Sequence, residues 1–146
     1  MCKKKPVSLE VFGDTTNEML RQAKIINSWG KNVYVKIPVV NSKGFFSGKV
    51  INRLSKKGIK LNITAVYTLE QVRKIVKNIN KNSKILDAGC GTGLVGIELK
   101  KYSYINIDGA DLSKKLLDLV PKGYYQNLDQ VDLNKPIKSQ NDTYDA

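Results

Sequence analysis

The chain has 146 residues, 41% of them hydrophobic, with 25 lysines and arginines against 13 acidic residues and a formal net charge of +12. That is enough chain and apolar content for one ordinary domain or two small pieces. It has no histidine and two cysteines, which argues against a zinc centre, a histidine-based triad or a disulfide framework.

No run of eighteen apolar residues is present, so no transmembrane helix is expected. The start, MCKKKPVSLEVF, is basic but leads into a short strand pattern, not the apolar core of a signal peptide. A cytoplasmic location is the expectation. The charge is unevenly placed: residues 1–82 carry 17 basic and 4 acidic side chains, and residues 83–146 carry 8 and 9. A basic first part could serve an anionic partner, either a phosphorylated metabolite or nucleic acid. Its lysines lie mostly on helical faces without interleaved aromatics, which favours a solvated surface over a nucleic-acid module.

Taken in order, Val7–Phe12 alternates and predicts a strand. Asp14, Thr15 and Thr16 supply capping chemistry for a helix through Met19, Leu20, Ala23, Ile26 and Trp29, which Gly30 stops. Val33–Val40 is β-branched and predicts a buried strand with Lys36 inside it. Asn41–Gly44 is a turn, and Phe46–Leu54 a helix. Ile59–Tyr67 predicts a third strand, and Thr68 caps a helix over Leu69–Ile79. After the polar stretch Asn78–Ser83 come strand Lys84–Asp87, helix Gly93–Lys101, strand Ile105–Asp111, helix Ser113–Leu119 and strand Asn127–Leu133. Tyr144 looks like the beginning of another strand. Continuous alternation of this kind predicts α/β architecture with parallel sheets and covering helices.

Each of the first three strands carries polar residues among apolar ones: Glu10, then Lys36, then Asn62 and Thr64. A lysine inside a β-branched strand is costly unless it is paired or reactive. In a parallel barrel, inward polar residues on neighbouring strands converge on one site. A lysine desolvated there gives up its proton more readily and can attack a carbonyl to form a Schiff base. The segments VSLEVFGDTTNEMLRQAKII, NVYVKIPVV and GIKLNITAVYTLEQV resemble the transaldolase and fructose-6-phosphate aldolase family over roughly Pro6 to Ile79. The resemblance implies that Lys36 is the Schiff-base lysine and Glu10 the acidic or amide residue beside it. It further implies that Asn62 and Thr64 position the carbinolamine and its water. The family's fold is an eight-stranded barrel, of which these segments supply only central strands, and three strands cannot close a barrel.

The second constellation is Lys84–Leu99, KILDAGCGTGLVGIEL: a strand, a glycine turn and a helix start. Glycines permit positive φ and close approach of a ligand to the main chain, and the helix N-terminus offers free N–H groups. The loop Asp87–Gly93, with Asp111 and Asp132 downstream, resembles class I S-adenosylmethionine-dependent methyltransferases over about Ser83 to Ala146. That resemblance implies S-adenosylmethionine as cofactor. Asp87, Gly89, Gly91 and Gly93 would lie against it, Asp111 on the ribose hydroxyls, and Asp132 with Leu133 near the adenine. Gly91–Gly96 also fits the dinucleotide pattern G-x-G-x-x-G. The additional Gly89 and the strand-end Asp87 suit the methyltransferase loop better. Cys90 has the character of a small loop residue, not of a nucleophile.

The resulting expectation is a partial β/α-barrel segment over residues 1–82, followed by a partial Rossmann-like segment over residues 83–146. The leading functional expectation is a methyltransferase with an unknown acceptor. The rival is a sugar-phosphate aldolase acting through Lys36 on a small-molecule substrate. An inactive junction of two truncated genes and a basic binding module are further alternatives. Neither a membrane nor nucleic acid is an expected partner.

Overall fold

The computed structural model describes residues 5–135 and 144–146; Cys2 lies outside them. Strands and helices alternate throughout. β1 is Val7–Glu10, α1 Thr16–Ser28, β2 Val33–Pro38, α2 Gly48–Ser55, β3 Leu61–Thr64 and α3 Leu69–Val76. They are followed by β4 Ile85–Ala88, α4 Leu94–Lys101, β5 Ile107–Asp111, α5 Lys114–Leu117 and β6 Asn127–Gln130. The architecture is α/β, as expected, with two parallel three-stranded sheets in the orders β1-β2-β3 and β4-β5-β6. No closed barrel forms among the described residues, because three strands cannot curl far enough to meet.

Local chemistry explains the boundaries. Thr15 caps α1: its hydroxyl accepts the Glu18 N–H at 3.2 Å, while the Glu18 carboxylate takes the Thr15 N–H at 3.1 Å. Thr68 and Gln71 form the same reciprocal box at the start of α3. α2 begins two residues later than the pattern predicts, since Phe46 forms an antiparallel bridge with Val40 and its ring lies where a Cβ on Gly48 would stand. β3 is shorter than predicted because Ala65 adopts φ 59°, a left-handed conformation that cannot continue a strand.

β2 shows the logic of the first sheet. Val33, Val35 and Ile37 are buried and alternate with half-buried Tyr34, Lys36 and Pro38. Side chains two apart share a face, so one face is apolar and the other polar. The apolar face is covered by α1 through Met19, Ala23 and Ile26, and by α2 through Val50, Ile51 and Leu54. Burying each large aliphatic side chain is worth roughly 1.5–3 kcal/mol.

The core does not stop at residue 82. Buried Val76, Ile79, Ile85, Leu99, Tyr104 and Ile107 belong to the same cluster as Val35 and Ile37. Tyr104 is fully buried, and its hydroxyl lies 2.7 Å from the Val76 carbonyl and 3.0 Å from that of Ile79. Arg73 on α3 donates from Nε to Glu98 on α4 at 2.7 Å. Residues 144–146 lie between the sheets. The Leu61 N–H donates to the Asp145 carbonyl at 2.9 Å, the Asp145 N–H to the Lys84 carbonyl at 2.8 Å, and the Leu86 N–H to the Ala146 carbonyl at 2.8 Å. The expected strand character near Tyr144 thus appears as a short extended tie that joins β3 to β4. No helix among the described residues is long and apolar enough to cross a membrane.

Candidate functional site

The polar face of the first sheet carries Ser8 and Glu10 on β1, Tyr34 and Lys36 on β2, and Asn62 and Thr64 on β3. In the parallel register Glu10 stands opposite Lys36 and Lys36 opposite Asn62. One row across the sheet therefore reads carboxylate, amine, amide. The Lys36 Nζ lies 3.2 Å from Glu10 Oε2, with the two side chains 34% and 29% exposed. Thr64 stands two residues further along β3, in register with Pro38. Asn62 Nδ2 donates to Ser8 Oγ at 2.9 Å. The left-handed Ala65 turns the chain immediately after Thr64, which places this residue at the carboxyl edge of the sheet. All four residues expected from the sequence share the face, and the structure adds Ser8, which sequence reasoning missed. The i, i+2 spacing of Ser8 and Glu10 was the available signal.

The glycine loop follows β4. Gly89, Gly91 and Gly93 have φ of 78°, 55° and 83°, and no atom would meet a Cβ at Gly89 or Gly91. The loop is held from β5: the Gly89 N–H donates to the Ala110 carbonyl at 2.7 Å. Asp111 accepts the Gly91 N–H at 2.8 Å on Oδ2 and the Ser113 N–H at 2.8 Å on Oδ1. Those donors, Ser113 first, hold its carboxyl below the usual range. Asp87 accepts the Tyr125 hydroxyl at 2.6 Å, and the same hydroxyl accepts the Gly96 N–H at 3.0 Å. Burial pushes the Asp87 carboxyl up, the Tyr125 bond opposes this, and the charge of Asp111 adds to the rise. The Tyr125 ring fills the space over Gly96 and Gly109, so those two glycines accommodate a side chain of this protein. Cys90 is buried, and burial followed by the nearby carboxylates pushes its thiol up to about 11. It is a poor nucleophile.

Asp132 and Leu133 lie beyond β6. The Asp132 carboxylate is engaged locally, accepting the Asn134 N–H at 3.0 Å and lying 3.4 Å from Lys135 Nζ. Leu133 is exposed. Tyr125 was also missed, because its bond to Asp87 spans 38 residues and nothing in local spacing announces it.

The family model described as Transaldolase/Fructose-6-phosphate aldolase matches residues 1–105. The chain belongs to the transaldolase/fructose-6-phosphate aldolase family. The probable transaldolase of Streptococcus equi subsp. zooepidemicus strain MGCS10565 is 44% identical over 66 residues, which is 45% of this chain and 29% of the relative. The probable transaldolases of Streptococcus agalactiae serotype V and Streptococcus pyogenes serotype M5 show the same figures. The match thus spans under a third of the length of these transaldolases.

This overturns the expectation of a methyltransferase and of S-adenosylmethionine as cofactor. The transaldolase-family match runs through the glycine loop and α4, and the curated relatives are named probable transaldolases. Chemistry in this family rests on a Schiff-base lysine, which has no use for a sulfonium methyl donor. The geometry supplies a physical account of the misleading motif. Asp87 holds Tyr125, Asp111 closes the loop onto β5, and Asp132 is engaged with its own neighbours. The spacing of glycines and carboxylates reflects a tight strand-to-helix connection.

Proposed function

We propose that this chain carries the Schiff-base segment of a transaldolase-family sugar-phosphate aldolase, with Lys36 as the nucleophile. The observation that supports the reading most directly is the row Glu10–Lys36–Asn62, with its 3.2 Å amine–carboxylate approach. On this reading residues 1–82 carry the Schiff-base face, and the described residues that follow share its core.

The chemistry follows from the groups present. The Lys36 amine, once deprotonated, attacks the carbonyl carbon of a ketose phosphate. A C–N bond forms and the carbonyl oxygen takes a proton, giving a carbinolamine. Loss of that hydroxyl as water leaves the imine. On this reading Glu10, 3.2 Å from the amine, takes the proton that the amine releases and returns one to the departing hydroxyl. The Asn62 amide and the Thr64 hydroxyl can each donate or accept, which suits them to hold the carbinolamine oxygen and the water. Holding the amine and the ketone together is itself a large part of the acceleration in such a step.

The test is borohydride reduction in the presence of dihydroxyacetone or fructose 6-phosphate, followed by peptide mass mapping. A reduced adduct on Lys36, absent from Lys36→Met, supports the reading. No adduct, or labelling that persists in Lys36→Met, overturns it.

A further inference from the structure

The bond from Asn62 to Ser8 joins two strands that are not neighbours, since β2 lies between β1 and β3. In a flat sheet those strands would stand about 9.6 Å apart, twice the usual spacing of about 4.8 Å. A serine and an asparagine bridge that span within 2.9 Å only where the sheet curls toward the face they share. Ser8 stands opposite Tyr34 and Asn62 opposite Lys36, so the bond crosses β2 between the Tyr34 and Lys36 positions, on the face that carries the Lys36 side chain.

We propose that Ser8 is a positioning residue: its hydroxyl, reaching over β2, fixes the amide of Asn62 beside the Lys36 amine. The inference rests on the reading of Lys36 given above. An asparagine amide left alone turns about its last torsion and presents oxygen or nitrogen with similar ease. With Nδ2 held by Ser8, the carbonyl oxygen is the end left to accept. The hydroxyl of a carbinolamine at Lys36, or the water it releases, is a donor of the matching kind. Functional side chains gain accuracy when a supporting residue locks their rotamer in this way. Ser8 itself is exposed, so removing its hydroxyl leaves the core untouched.

The experiment follows the rate of borohydride-trapped adduct on Lys36 against dihydroxyacetone concentration for the wild type, Ser8→Ala and Ser8→Thr. Ser8→Ala is expected to lower the limiting rate by about threefold to tenfold, the equivalent of one neutral hydrogen bond. The half-saturating concentration and the thermal midpoint should stay put. Ser8→Thr, which keeps the hydroxyl, should restore the rate. An unchanged rate in Ser8→Ala overturns the proposal, as does a loss that Ser8→Thr fails to repair or that follows a fall in thermal midpoint. Absence of adduct in the wild type is a different failure: it removes the Lys36 reading and this inference with it.

Discussion

Asp108 in β5 accepts the Tyr144 hydroxyl at 3.0 Å, joining a strand of the second sheet to the residues that lie between the two sheets. The same carboxylate accepts both the main-chain N–H of Asn127 at 3.1 Å and its side-chain amide at 2.8 Å, and it lies 3.4 Å from Lys84 Nζ. Burial pulls the Asp108 carboxyl upward, but the bonds from Asn127 and Tyr144 and the charge of Lys84 outweigh it and hold the group below the usual carboxylate range. Burial followed by the Asp108 contact pushes the Tyr144 hydroxyl up to about 12.

Tyr144→Phe should therefore cost about 1.5–3 kcal/mol near neutral pH, the range for a hydrogen bond to a charged partner. The pH dependence has two signed ends. A folded-state value raised above that of the unfolded chain stabilises below the ordinary tyrosine value near 10 and loses that contribution as pH rises through about 12. The lowered Asp108 stabilises above the ordinary carboxylate value and loses its contribution as pH falls through the folded one. Urea unfolding across pH should show Tyr144→Phe with a flatter alkaline limb and a weaker acid dependence than the wild type. Identical pH profiles would remove this cluster from the account of how the sheets are joined.

Asp87 behaves in the opposite sense. Its carboxyl is raised, chiefly by burial, so its contribution is present below the ordinary carboxylate value and is lost as pH rises through the folded one. Asp87→Asn removes the charge and keeps an oxygen to accept the Tyr125 hydroxyl. Its stability at pH 7 should equal or exceed that of the wild type, and its profile between pH 4 and 7 should be flatter. Tyr125→Phe should instead lose about 1.5–3 kcal/mol, because it removes the donor to a charged, half-buried carboxylate. Chemical denaturation of both variants at the two pH values decides the matter.

Gly96 sits under Tyr125 with no room for a Cβ. Gly96→Ala would ordinarily favour a helix by about 1 kcal/mol. Here overpacking against the tyrosine ring should reverse the sign and destabilise by about 1–3 kcal/mol. The double variant Gly96→Ala with Tyr125→Leu should recover part of that loss. Additive losses in this cycle would show that the glycine is not there for the ring.

The order of elements was legible in the sequence because apolar period, caps and glycine stops agreed. Thr15 and Thr68 cap the helices that follow them, and Lys36 lies between Glu10 and Asn62 as the alternation implied. Boundaries failed where a single residue departed from the pattern, as Ala65 does in ending β3 at positive φ. The glycine loop misled for a deeper reason. Gly96 and Gly109 make room for Tyr125, a packing relation that local spacing does not record. Ser8 escaped although its i, i+2 spacing from Glu10 puts it on the same face, because an exposed serine in a strand carries no chemistry of its own to single it out. Its bond to Asn62 reaches across β2, a relation between non-neighbouring strands that no local pattern records.

Glu10→Gln separates the structural from the chemical meaning of the ion pair with Lys36. Both side chains are about one-third exposed, and pairs of that kind contribute little to stability, below about 1 kcal/mol. The thermal midpoint should accordingly move little. The proton-transfer role is another matter: glutamine fills nearly the same volume but cannot take the amine proton or return it to the departing hydroxyl. General acid–base groups contribute about 10²-fold to 10⁴-fold, so adduct formation on Lys36 should slow by about 10²-fold or more. A rate within about twofold of the wild type, well inside what general acid–base catalysis contributes, would leave Glu10 as a charge partner only and would place proton transfer on solvent.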